Sequence, residues 1–260
     1  MKLISLNIWH GALLKELIKF IANNAKTTDI FVFQEVSNLK KQRHMSIRRG
    51  RHKALKVLWE KRVYSAIKLV LPKFTAYRSK KYISEGAFLA VFIKHGLSST
   101  ASNDKVLTNP IRIFGLTTRP RLLCVRVTDG KETFWICTTH GLLVPNKWRE
   151  DTPQRIMQSK RILSQLSKLK GAKILCGDFN LPPETITMKM LSNVLKNLVV
   201  MYGITNTRSE SYLKHASYTH GKEITDHMLV SNEIKVKGFK VRNIEISDHL
   251  PMILYFELKR

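Results

Sequence analysis

The sequence predicts a mixed α/β domain, on three observations. Short apolar runs of strand length alternate with stretches whose apolar residues recur at helical spacing. Asp129-Gly130 joins two further apolar runs, a strong hairpin signal. Several runs end not in ordinary turn residues alone but in carboxylates, amides and imidazoles.

The elements follow in order. Leu3 to Ile8 reads as a buried strand ending at Asn7-Ile8-Trp9-His10-Gly11, and Leu13, Leu14, Leu17, Ile18 and Ile21 mark a helix after it. Asp29 to Phe33 is a second strand, parallel to the first if that helix is a crossover, and it ends in Gln34-Glu35. Lys40 to Arg62 is the most basic segment; its later part, with Ala54, Leu55, Val57, Leu58, Val63 and Ile67, reads as helical. Ala87 to Ile93 is a strand preceded by Ser84-Glu85-Gly86. Arg121 to Thr128 and Thr133 to Thr139 form the hairpin, and His140-Gly141 follows. Asp151-Thr152-Pro153 opens a helix with Ile156, Ile162, Leu163, Leu166 and Leu169 on its apolar side. A further helix is predicted around Thr187 to Leu198. Asp226-His227 precedes a short strand, Met228 to Ser231, and Ser247-Asp248-His249-Leu-Pro251 precedes the last, Met252 to Leu258.

The stretch richest in chemistry is Lys173-Ile-Leu-Cys-Gly-Asp178-Phe-Asn180. Lys173 to Cys176 is a buried strand, Gly177 turns the backbone, and Asp178 and Asn180 sit just past the strand's end. An aspartate there can take a proton from water, and an asparagine can donate to a phosphate oxygen. Gly-Asp-x-Asn also describes a plain turn. Yet the chain has only seven aspartates, and Asp178, Asp226 and Asp248 lie at strand boundaries beside Asn or His. Solubility does not account for that placement in so basic a chain.

The 260 residues, 43% of them hydrophobic, suffice for one domain spanning 1–260, with no linker-like stretch and no repeat. Against 45 Lys and Arg stand 19 Asp and Glu, a net charge of +26. Such an imbalance points to a polyanion: polyphosphate, nucleic acid or an anionic lipid surface. Cys124, Cys137 and Cys176 lie in apolar runs without metal-ligand spacing, as expected of reduced core thiols in an intracellular, cytoplasmic protein. Neither a signal peptide nor a membrane span is read at the N-terminus.

Taken together and in this order, Leu-Asn7-Ile-Trp, Gln34-Glu35-Val, Thr-His140, Gly-Asp178-Phe-Asn180, Asp226 and Ser-Asp248-His249-x-Pro resemble the endonuclease/exonuclease/phosphatase family of deoxyribonuclease I-like proteins. The resemblance implies a four-layer α/β sandwich: two packed mixed sheets with helices on the outer faces. It implies Glu35 as principal Mg²⁺ ligand (Mn²⁺ as a substitute), with Asn7 and Asp248 nearby directly or through water. Asp178 would orient or deprotonate the attacking water and Asn180 would hold a phosphate oxygen. His249, oriented by Asp226, would meet the scissile phosphate, with His140 on the other side and Glu85 matching the glutamate that pairs with that histidine in the deoxyribonuclease branch. The run that marks inositol 5-phosphatases and the signatures of abasic-site endonucleases are absent, and His227 stands where many relatives carry an aromatic residue. His140-Gly-Leu-Leu, followed by Asp151, Arg155 and Gln158, is closer to a group of small bacterial members.

The expected function is Mg²⁺-dependent hydrolysis of phosphodiesters in nucleic acid by a monomer, with Arg48, Arg49, Arg51 and Lys53 tracking the phosphate backbone. A solvated face is the plainer reading of those charges. A phosphatase or phospholipase acting on an anionic headgroup, and a non-catalytic polyanion-binding module, are the alternatives.

Overall fold

In a computed structural model, which describes residues 1–39, 43–47, 55–60, 62–84, 86–113, 116–144, 147, 149–210 and 223–259, the elements run as follows. The first half holds β1 (Lys2–Asn7), α1 (Leu14–Ala25), β2 (Ile30–Val36), β3 (Arg43–Ile47), β4 (Leu55–Trp59), α2 (Val63–Val70), β5 (Phe74–Arg78), β6 (Phe88–Lys94) and β7 (Ser98–Val106). Then come β8 (Ile111–Ile113), β9 (Leu116–Thr118), β10 (Arg121–Thr128), β11 (Thr133–His140), α3 (Pro153–Leu166) and β12 (Ala172–Asp178). The last third holds α4 (Ile186–Ser192), β13 (Lys196–Asn197), α5 (Leu198–Met201), β14 (Asp226–Val230), β15 (Ile234–Val241) and β16 (Met252–Leu258).

Two six-stranded sheets result, ordered β15-β16-β1-β2-β6-β5 and β13-β14-β12-β11-β10-β7. Both are mixed: β1 runs parallel to β2 and β11 to β12, while β16 and β14 lie antiparallel to β1 and β12. Among the described residues the apolar side chains form three layers. Leu3, Ile30, Val32, Leu89 and Val91 of the first sheet meet Val125, Ile136, Ile174, Met228 and Val230 of the second. The opposite phase of the first sheet, Phe31, Phe33 and Phe92 among it, packs on Leu17, Phe20 and Ile21 of α1 and Val63 and Ile67 of α2. Leu122, Cys137, Leu175 and Leu229 pack on Ile162 and Leu166 of α3 and Met188 and Leu191 of α4. Alternate residues of each strand thus enter different layers, and this period of two builds helix, sheet, sheet and helix. The three cysteines are buried and form no disulfide. Among the described residues no helix is long and apolar enough to cross a membrane.

Local expectations needed four corrections. Leu55, Val57 and Leu58 belong to strand β4, paired with β3, and the helix begins only at Val63; a short apolar run carries too few turns to tell the two periods apart. Gly177 does not end its strand but stays within β12, paired with Thr139 and His227. Asp226 and His227 lie inside β14, not before it. The helix predicted over Thr187 to Leu198 divides into α4, the short β13 and α5, because Asn197 pairs with β14 and its side chain caps α5 by accepting from Val199 N. Edge strand β15 was not anticipated, although Lys235, Lys237 and Lys240 alternate with Ile234, Val236 and Phe239 as an edge requires.

Candidate active site

The inter-sheet layer changes character at one end. Along β1 the inward residues run Leu3, Ser5, Asn7; along β2, Ile30, Val32, Gln34; along β11, Ile136, Thr138, His140; along β12, Ile174, Cys176, Asp178. The same phase that builds the core therefore delivers a polar tier and, above it, the candidate site. In the tier, Gln34 Nε2 donates to Thr138 Oγ1 at 3.0 Å and reaches Ser5 Oγ at 3.5 Å. The carboxyl ends of β1, β2, β11 and β12 and the amino end of β14 share this edge, with the loop before β16 beside them.

Glu35 needs a break in the alternation. Val36 joins Phe31 and Phe33 on the outer layer, so one extra residue has been inserted, and the register of β2 with β6 shifts between Phe33 and Val36. The extra residue is Glu35, at φ +55°. Its carboxylate lies 3.0 Å from His10 Nε2, 3.2 Å from Asn7 Nδ2 and 3.6 Å from His140 Nε2. Burial alone would raise its pKa, but the charge and hydrogen bond of His10, then His140 and His249, hold it well below the usual carboxylate range.

Asp178 sits at the centre. Its Oδ2 accepts from Asn7 Nδ2 at 3.2 Å and lies 3.4 Å from His249 Nε2 and 3.5 Å from His140 Nε2. Burial opposes its ionisation, yet His249, His140 and Arg208 depress its pKa strongly. Oδ1 accepts from Asn180 N at 2.8 Å, an Asx turn that holds Asn180 at φ +56°. Two glycines make the approach of strands feasible here. A Cβ on Gly177 would sit 2.1 Å from the Thr139 carbonyl oxygen, and one on Gly141 would sit 2.3 Å from that of Phe179. Either is impossible without moving the backbone that carries His140 and Asp178.

His249 and Asp226 meet at 2.8 Å, Nδ1 to Oδ2, and Thr225 Oγ1 also donates to that carboxylate at 3.0 Å. Burial and the Arg208 guanidinium oppose protonation of His249, but Asp226, Asp248 and Asp178 outweigh them and its pKa rises to about 9. Asp248 accepts from Arg208 Nη1 at 3.1 Å; burial pushes its carboxyl up, partly offset by His249 and Arg208.

Nearly every residue expected at the site is brought together: Asn7, Glu35, His140, Asp178, Asn180, Asp226, Asp248 and His249. Glu85, Arg48, Arg49, Arg51 and Lys53 lie outside the described residues. Nδ1 of His140 is 2.9 Å from the Tyr82 hydroxyl, which also accepts from Glu35 N at 3.0 Å. Tyr82, His10 and Arg208 are the site residues that sequence reasoning missed. The positions of Arg155 and Gln158 now have a cause: Arg155 is fully buried and donates to the carbonyls of Leu142, Lys147 and Glu150, while Gln158 Oε1 accepts from Leu142 N. Both therefore brace the loop that follows His140. His227 points away from the site into the outer layer. Its Nε2–H donates to Leu181 O at 2.8 Å, Nδ1 lies 3.1 Å from Asn197 Nδ2, and burial lowers its pKa.

The donor set suits a divalent cation. Four carboxylates, Glu35, Asp178, Asp226 and Asp248, converge with the Asn7 amide, all hard oxygen donors of the kind such ions prefer. Asp178, Asp226 and His249 each turn one ligand-type atom to within 4.8 Å of the others.

Comparison with known proteins bears on the family and the fold. Residues 4–249 match the model of the Endonuclease/Exonuclease/phosphatase family. No curated protein matches the chain. The fold is similar to an endonuclease/exonuclease/phosphatase family protein from Bacteroides thetaiotaomicron, at TM-score 0.74 and 15% identity over 100% of this chain and 98% of that one. It is similar to D. rerio TDP2 complexed with single strand DNA product, at TM-score 0.68 and 13% identity over 99% and 98%. It is also similar to the Bacteroides thetaiotaomicron mannosyl-6-phosphatase Bt3783, at TM-score 0.69 and 15% identity over 99% and 100%.

Proposed function

This chain belongs to the endonuclease/exonuclease/phosphatase family, and on that premise we propose that it is a divalent-metal-dependent phosphodiesterase acting on nucleic acid, with Mg²⁺ as the ion. Hydrolytic phosphoester chemistry is general to the family; the substrate is the finer reading. One observation carries it: a net charge of +26 on a chain whose chemical edge gathers four carboxylates. Those carboxylates would repel a phosphodiester, and a net charge of +26 would offset that repulsion along the rest of a polyanion. The TDP2 likeness, with its single strand DNA product, is compatible with this.

In this reading Glu35 and Asn7 hold the cation, with Asp248 close by. The ion's contribution is neutralisation of charge at the phosphate and the leaving oxygen. Asp178, already held ionised by its neighbours, orients a water and takes its proton as the water oxygen bonds to phosphorus and the ester P–O bond breaks. Asn180 Nδ2 and His140 Nε2, 3.2 Å apart, would together steady a phosphate oxygen. His249, its Nδ1 fixed by Asp226, presents Nε2 to the developing charge. A phosphatase reading has its own support in the mannosyl-6-phosphatase likeness.

The discriminating experiment is a substrate panel with and without chelator: duplex, single-stranded and abasic DNA, RNA, and a sugar phosphate monoester. Cleavage of a nucleic acid whose binding weakens with salt, by a slope of about −0.9 per phosphate contacted on duplex, supports the nuclease reading. Neutralising Arg48, Arg49 and Arg51 together should then flatten the slope. Turnover of the monoester alone selects the phosphatase.

A further inference from the structure

The 206–209 segment, which the mechanism above does not use, runs between the two halves of the site. Thr207 Oγ1 accepts from Thr225 N at 3.0 Å and Asp226 N at 3.2 Å on one side. On the other, Leu250 N donates to Thr207 O at 2.8 Å and Ser209 N to Asp248 O at 3.0 Å. Asn206 Oδ1 accepts from Arg208 N at 3.0 Å. Arg208 is thereby held at 4% exposure between the sheets, not reached in from the surface. Nη1 donates to Asp248 Oδ2 at 3.1 Å and also contacts His249 Nε2.

That location matters because Asp178, Asp226 and His249 already have the spacing of a cation site, with Asp248 Oδ1 3.7 Å from His249 Nε2. A guanidinium against His249 Nε2 and Asp248 puts a fixed positive charge beside this group, where an ion would otherwise be drawn. We propose that Arg208 stands in for a second divalent cation, so that the site holds one metal ion, near Glu35 and Asn7, and uses the guanidinium to bind the phosphate on the His249 side. A guanidinium is well suited to that role, because it keeps its charge at any working pH and its planar fork matches two phosphate oxygens, which an ammonium cannot do. A purely structural arginine, present only to neutralise Asp248, is the competing account.

The two accounts differ in metal stoichiometry and phosphate affinity, neither of which requires turnover. The inference rests on the phosphoesterase reading of this site, but not on nucleic acid being the substrate. Mn²⁺ bound per chain is counted by electron paramagnetic resonance of the free ion for the full chain, Arg208→Lys and Arg208→Met. Inorganic phosphate is then titrated onto the Mn²⁺-loaded proteins. The expected result is one Mn²⁺ in the unmodified chain and in Arg208→Lys, and a second in Arg208→Met. Phosphate affinity should fall about tenfold or more in Arg208→Lys, where the charge remains but the fork is lost. Two Mn²⁺ ions of comparable affinity in the unmodified chain overturn the proposal, and that measurement needs no variant to fold. Unchanged phosphate affinity in Arg208→Lys overturns it as well, and points to the structural role.

Discussion

Nδ1 of His249 lies 2.8 Å from Oδ2 of Asp226, although Asp226 opens a strand of one sheet and His249 precedes a strand of the other. The pair therefore spans the sandwich and exists only while the two sheets hold their packing.

Asp226→Asn keeps the shape but turns an acceptor into an amide that no longer favours a proton on Nδ1. Turnover should fall by on the order of 10²–10⁴, the range for a mispositioned acid–base group. The Mg²⁺ concentration giving half-maximal activity should stay nearly constant. Recovery of activity with excess Mg²⁺ would instead make Asp226 a metal ligand.

Glu35→Gln should behave differently, because it removes charge from the position assigned to the ion. Both turnover and apparent Mg²⁺ affinity should drop, and the Mg²⁺ titration should shift to higher concentration. A titration that overlays the unmodified protein's would remove Glu35 from the metal site.

Tyr82→Phe deletes one hydroxyl that meets both Glu35 N and His140 Nδ1. The stability loss should be modest, about 1 kcal/mol as for a single hydrogen bond. The kinetic loss should exceed it, since two site residues lose their common anchor: kcat down by about tenfold or more, with KM little changed. Equal, small effects on both would make the tyrosine only a packing residue.

Arg155→Met leaves the carbonyls of Leu142, Lys147 and Glu150 without their buried donor. Destabilisation on the order of 2–4 kcal/mol follows from those groups alone, read as a lower denaturation midpoint. Protease cutting should appear first within residues 142–150. A variant as stable as the parent would mean that the loop has other support.

His227 gives a pH dependence with a definite sign. Its pKa is lowered in the folded chain by burial, so the neutral ring is the stabilised form. Its contribution is fully present above the unfolded-state value of about 6.5 and is lost as pH falls through the lower folded value. The stability gap between the parent and His227→Phe, which cannot titrate, should therefore shrink between pH 7.5 and pH 5. A gap constant over that range would contradict a buried neutral histidine donating to Leu181 O.

Much of the site was legible because strand ends are local signals. An apolar run stopping at Asn7, His140 or Asp178 can be seen without knowing what packs where. Glu35 was legible as a residue at a strand's tip, but the inserted residue that turns it inward was not. Tyr82 and Arg208 were not legible at all, and His10 was legible only as part of the stretch that ends the first strand. Tyr82 sits in Lys80-Lys81-Tyr82-Ile83 and Arg208 in Asn206-Thr207-Arg208-Ser209, stretches with no apolar period to break. Gly177 misled for a related reason: glycine signals a turn in sequence, whereas here it is required inside a strand because Thr139 O passes where its Cβ would be.

By itself, then, the sequence determined the mixed α/β class, the motif order and the charge, none of which depends on what packs against what. The tertiary structure alone decided which partner each ionisable group meets. Asp248 is as near a histidine in sequence as Asp226 is, yet Asp248 pairs with Arg208 and Asp226 pairs with His249. That choice is made by how two sheets stack and by a segment threaded between their ends. The contacts cross 23 and 40 residues, a separation at which no local preference of the chain acts.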